Sequence, residues 1–86
     1  MLYQNYPNPF NPTTSIKFEI PAGVAGHTSL RVYDVLGNEI ATLVDEPRSP
    51  GVYTVQWDAS TLASGLYFYR FQVEGYTKTR KLLLLR

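Results

Sequence analysis

Apolar side chains in this chain fall at every second position in short runs, and this period of two constrains the fold more than any other feature. Ile16, Phe18 and Ile20 alternate with Ser15, Lys17 and Glu19 until Pro21 ends the run. From Ser29 to Asp34, Leu30 and Val32 oppose Arg31 and Tyr33, and Glu39 to Val44 returns as a third run. Tyr53, Val55 and Trp57 alternate with Thr54 and Gln56. Tyr67, Tyr69, Phe71 and Val73 share one side of a fifth run against Arg70, Gln72 and Glu74. A sixth, about Thr77 to Leu85, has an ambiguous phase because Leu82 to Leu85 are consecutive. A strand with one dry face reads this way, and no window carries helical spacing.

Turn chemistry separates the runs. Gly23 to Gly26 and the polar stretch Asp45 to Gly51 read as loops, and Asp58 to Ser64 as a connection that Gly65 ends. Asp34 and Gly37 mark a turn, since an Asp side chain accepts from following amides and Gly takes a positive φ at little steric cost. Glu74-Gly75 makes a tight turn into the last run. The expected fold class is therefore all-β: an immunoglobulin-like antiparallel β-sandwich of about 6–7 strands. Its expected core contains Ile16, Phe18, Leu30, Val32, Val55, Trp57, Tyr67, Tyr69 and Phe71, with Asp34, Gly37 and Gly65 as structural turn residues.

Length limits what such a sandwich can do. With 86 residues it is one domain, burying roughly 60–65% of its unfolded surface, which leaves little room for a deep substrate cavity. The absence of Cys excludes disulfides, thiolate metal sites and a cysteine nucleophile together. Hydrophobic residues at 44% and charged residues at 17% belong to a globular domain and not to a disordered tail. No stretch approaches a membrane span, so direct membrane insertion is not expected. Met1 opens into Leu2-Tyr3-Gln4-Asn5 without a basic and then apolar leader, which predicts one piece excised from a longer chain with Met1 an addition.

Few residues invite catalysis. His27 is the only histidine; it is expected in a loop, and neither a Ser/His/Asp set nor a metal site can be assembled around it. Asp45 and Glu46 are adjacent, but a Ca²⁺ site needs more oxygen ligands than they supply. No enzyme, cofactor or metal is expected. The row Tyr67, Tyr69, Phe71 could stack on sugars or bases if exposed, although period two inside a sandwich favours the core. Charge is uneven: the first 74 residues carry four Lys or Arg against seven acids, and the remainder carries Lys78, Arg80, Lys81 and Arg86 with none. Four such charges are too few for a dedicated nucleic-acid face, and charged side chains on a terminal strand also blunt an open sheet edge.

The most specific segment is Leu2-Tyr3-Gln4-Asn5-Tyr6-Pro7-Asn8-Pro9-Phe10-Asn11-Pro12-Thr13-Thr14-Ser15-Ile16. Its prolines remove backbone donors and push the preceding residues towards extended geometry, so residues 1–13 are expected as an ordered, Pro-rich lead-in to a sandwich over 14–86. This opening resembles the type A C-terminal sorting domain of the type IX secretion system (Por secretion) of Bacteroidetes and relatives. The resemblance continues through Leu30 to Gly37, Gly51-Val52-Tyr53, Trp57-Asp58, Ala63 to Tyr67, and Lys81 to Arg86. Asn38 departs from it, standing where members often carry a basic residue.

The resemblance implies an Ig-like domain at the extreme C-terminus of a secreted or cell-surface protein. Such a domain follows an N-terminal cargo domain in the same chain and passes through the periplasm. There it would meet the type IX translocon, an outer-membrane shuttle and a sortase-like cysteine protease that removes it and can exchange it for a surface anchor. On that reading Lys78, Arg80, Lys81 and Arg86 make polar contacts with the machinery, and Leu82, Leu83, Leu84 and Leu85 form a packing or strand-addition surface. The competing readings are a carbohydrate-binding module or a structural Ig-like accessory module of a secreted hydrolase.

Overall fold

The computed structural model describes residues 1–24 and 26–85. Six antiparallel strands form two sheets, with no helix among the described residues. β1 (Thr13–Ile20) pairs with β4 (Gly51–Asp58); β3 (Glu39–Arg48), β2 (Gly26–Tyr33), β5 (Gly65–Val73) and β6 (Tyr76–Leu84) lie in that order in the second sheet. The domain measures 40 × 23 × 16 Å, a slab with room for one layer of side chains between its sheets.

The alternation seen in the sequence becomes the core. Ile16, Phe18 and Ile20 from β1 face Leu30, Val32, Tyr67, Tyr69, Phe71 and Val73 from the larger sheet, all buried. Rings cross the layer: Phe18 and Phe71 lie 5.0 Å apart, and Trp57 meets Tyr67 edge-on at 6.2 Å. Such aromatic pairs add to the area term that dominates a thin core. Val55 is only half-buried, because β4 is the outer strand of the smaller sheet and, among the described residues, has no strand on its far side.

Three boundaries differ from the sequence reading. β2 begins at Gly26, so His27 stands in a strand and not in a loop. β3 runs on to Arg48, so Asp45 and Glu46 are strand residues too, and only Ser49 and Pro50 separate β3 from β4. Ladder pairing overrides polarity here: Gly26 to Ser29 pair with Arg48 to Asp45 although little of that stretch is apolar. Within β3 the register slips twice, leaving Leu43 and Ile40 as extra residues between the pairs Leu30–Val44, Arg31–Thr42, Val32–Ala41 and Tyr33–Glu39. These bulges break strict alternation, which is how Ile40, Ala41, Leu43 and Val44 can all pack on the core.

The lead-in is built into both sheets. Its first half runs beside β1: the Tyr3 and Tyr6 amides donate to the Lys17 and Ser15 carbonyls, and Ser15 and Glu19 donate back to Tyr6 and Met1. Its second half crosses to β6, where Phe10 bridges Leu84 in parallel. Leu2 and Phe10 are buried in the core, and the Tyr6–Pro7, Asn8–Pro9 and Asn11–Pro12 bonds are cis.

Asn5, also buried, ties this segment down. Its backbone N–H donates to the Tyr69 hydroxyl at 2.8 Å, and its Nδ2 donates to Thr14 Oγ1 and the Pro7 carbonyl. The Tyr69 hydroxyl in turn donates to the Tyr3 carbonyl, and Thr14 to the Pro7 carbonyl. Among the described residues no buried side-chain nitrogen or oxygen lacks a partner. Burial pushes the Tyr69 phenol above its ordinary value, against the opposing pull of the Asn5 N–H and the Arg80 charge. Tyr69→Phe keeps the ring but strands the Asn5 N–H and the Tyr3 carbonyl. The expected loss is about 2 kcal/mol, a fall in Tm of roughly 10 °C, read by thermal unfolding followed by circular dichroism.

Candidate recognition surface

β6 enters its sheet through the two-residue turn Glu74-Gly75, both at positive φ (24° and 73°), the requirement of a tight hairpin whose twist matches its strands. The β5–β6 register, Gly65 with Leu84 through Val73 with Tyr76, sets which side chains point inward. Leu82 and Leu84 are fully buried, whereas Leu83 and Leu85 are exposed, so alternation persists through the leucine run. The sequence alone left that phase open.

The expected contact residues therefore separate into two groups. Lys78, Lys81, Leu83 and Leu85 are accessible. Leu82 and Leu84 are core, and Arg80 is half-buried with its Nε donating to the Leu2 carbonyl at 2.7 Å. Arg80 thus holds the lead-in instead of standing free for a polar contact with another protein. Arg86 lies outside the described residues.

The edge of β6 is partly closed. Leu83 donates to Asn8 Oδ1 and accepts from the Phe10 N–H, Leu85 donates to the Phe10 carbonyl, and Gln4 Nε2 donates to the Lys81 carbonyl. An incoming strand cannot add at Leu82 to Leu85, because the chain's own lead-in occupies that edge. Gln4, Asn8 and Phe10 were not foreseen as partners of the last strand. Phe10 as a lone apolar residue among prolines was the only local hint.

Elsewhere the polar side chains maintain the fold. The Asp34 carboxylate accepts from the Leu36 and Asn38 amides and from Asn38 Nδ2, while Gly37 takes φ 87°. Gly65 opens β5 at φ 151°. His27 Nε2 and Asp45 Oδ1 lie 2.5 Å apart, and Arg31 reaches both Asp45 and Glu39. Among the described residues no group of three or more His, Asp or Glu could hold a metal. Tyr67, Tyr69 and Phe71 are buried and form no platform for a sugar or a base.

The chain matches the model of the secretion system C-terminal sorting domain over residues 4–85. It belongs to that family. No curated protein and no solved structure was found to match it. A sorting domain of the type IX system acts as an export signal and is not an enzyme family, and the protein that carries it is secreted, ending at the cell surface or in the extracellular space. Its partner, at that level, is the type IX machinery. Accessible side chains of the sorting domain are the ones such a machinery can read, and from Lys81 to Leu85 these alternate with the buried Leu82 and Leu84.

Two outcomes test this surface. Leu84→Ala should cost about 2–5 kcal/mol by opening a cavity, and Leu83→Ala less than about 1 kcal/mol; urea unfolding of both variants measures the contrast. The amides and side chain of Asn38, then the Leu36 and Gly37 amides, hold the Asp34 carboxyl below its ordinary value. Because the folded form prefers the ionised carboxylate, its contribution is present above the ordinary aspartate value of 3.8 and is lost as pH falls through the lower folded value. Asp34→Ala should therefore melt lower than the unaltered domain at neutral pH, with the gap closing in strong acid.

Proposed function

We propose that this domain is the address by which a larger cargo protein, N-terminal to it in the same chain, is carried across the outer membrane. The type IX translocon and an outer-membrane shuttle take up the folded domain, and a sortase-like cysteine protease then removes it near or before Leu2 and can exchange it for a surface anchor. The accessible residues Lys78, Lys81, Leu83 and Leu85, with Arg86, make the contacts, while Leu82, Leu84 and Arg80 position them.

The observation that carries this reading is the family match over residues 4–85. The strand geometry supports the choice of residues. β6 lies at the edge of its sheet and presents alternate side chains, so a machine that handles many cargoes can read the folded module without contacting the cargo. A cut near or before Leu2 is supported by the family match, which begins at residue 4.

The test places residues 1–86 behind a periplasm-directed fluorescent reporter in a bacterium with the type IX machinery. Surface and medium fluorescence should require the domain and vanish in a strain lacking the translocon. A fourfold variant, Lys78→Ala, Lys81→Ala, Leu83→Ser, Leu85→Ser, should leave the fusion folded in the periplasm and lower export by about tenfold or more. A stable fusion that remains periplasmic in every strain refutes the reading, and full export of the fourfold variant refutes the residue assignment.

A further inference from the structure

Beyond the point where the lead-in covers it, β6 keeps an open stretch of backbone. Residues of a strand alternate in the direction of their N–H and C=O groups. The bonds made by Lys81, Leu83 and Leu85 to the lead-in show that the odd-numbered residues of β6 point away from β5. Thr77 and Thr79, together with the Lys81 N–H, therefore face outward, and among the described residues nothing pairs with their backbone groups. Thr77, Lys78 and Thr79 are all exposed.

We infer that Thr77 to Lys81 is a strand-addition site for an extended, acidic segment of another polypeptide. An added strand gains main-chain hydrogen bonds at Thr77, Thr79 and Lys81, and its side chains meet the exposed Lys78 and Lys81, while Arg80, held on the Leu2 carbonyl, adds positive charge beside them and no acid on β6 offsets it. The same strand edge already accepts one extended segment, the lead-in, immediately beyond Lys81. A second copy of this chain is the wrong occupant. A two-fold related pair would align β6 antiparallel with itself, and each register that fits the open stretch sets cation against cation. Centred on Thr79 it opposes Lys78 to Arg80; one step either way it opposes Lys78 to Lys78 or Arg80 to Arg80. The outer edge of β3 is a poorer acceptor, carrying two bulges and Pro47.

That the acidic segment belongs to the type IX machinery rests on the function proposed above; the strand addition itself does not. The chain, labelled with ¹⁵N, is titrated with a capped peptide of about eight residues alternating Glu with Val, and with its Lys analogue. The Glu peptide should shift the Thr77, Thr79 and Lys81 amides and slow their exchange by about tenfold or more, leaving Leu83 and Leu85 unchanged. The Lys analogue should do neither. Thr79→Pro removes an outward N–H and no bond to β5, so this variant should keep the native spectrum and lose the response. Lys78→Glu should weaken the Glu peptide at least about threefold. No response at these amides up to millimolar Glu peptide, or an equal response to both peptides, overturns the inference. So does a dimer in sedimentation that Thr79→Pro abolishes. Failure of the unaltered domain to direct export bears on the sorting reading alone, because the titration contains no machinery.

Discussion

The hydrogen bonds of Asn5 with Tyr69 and Thr14 are the interaction on which the rest of this domain depends. A slab one side chain thick has few apolar residues to spare, and an inward-facing hydroxyl such as that of Tyr69, on the central strand β5, must be matched or it costs more than its ring contributes. The lead-in supplies the match. Once Asn5 is seated, Leu2 and Phe10 fall into the core on either side of it, and the segment joins the β1 edge of one sheet to the β6 edge of the other. Without it the smaller sheet would be a two-stranded ribbon, too narrow to cover a four-stranded sheet.

The same arrangement decides what the terminal strand can offer. Leu82 and Leu84 are committed to the core and Arg80 to the lead-in, and the end of its edge beyond Lys81 is paired. The remainder is a strip of accessible Lys and Leu side chains beside an open stretch of backbone. This strip exists only when the domain is folded, because from Lys81 to Leu85 the accessible residues alternate with buried ones along one strand. Lysine at an open strand edge also disfavours pairing between copies.

The placement of the expected site residues shows how far a local pattern reaches. Lys78, Lys81, Leu83 and Leu85 are where a surface reading would put them. Arg80 looks identical in the sequence but serves the Leu2 carbonyl, 78 residues away along the chain. Leu82 and Leu84 cannot be told from Leu83 and Leu85 within a run of four leucines; the pairing of Leu82 with Tyr67 and of Leu84 with Gly65 decides their direction.

The amino-acid sequence by itself determined the all-β class, six strands, the inward side of β1, β2 and β5, the turns at Asp34 to Gly37 and Glu74-Gly75, and the family. All of these follow from period-two alternation, turn chemistry and motif, which are properties of neighbouring residues. Tertiary structure decided the extension of β3 to Arg48, its two bulges, the half-burial of Val55 and the seating of the lead-in. It also decided which part of the β6 edge stays open. Each of these depends on register between segments far apart in the chain, and register is set by how two strands and one buried layer fit together, which no window of a single strand contains.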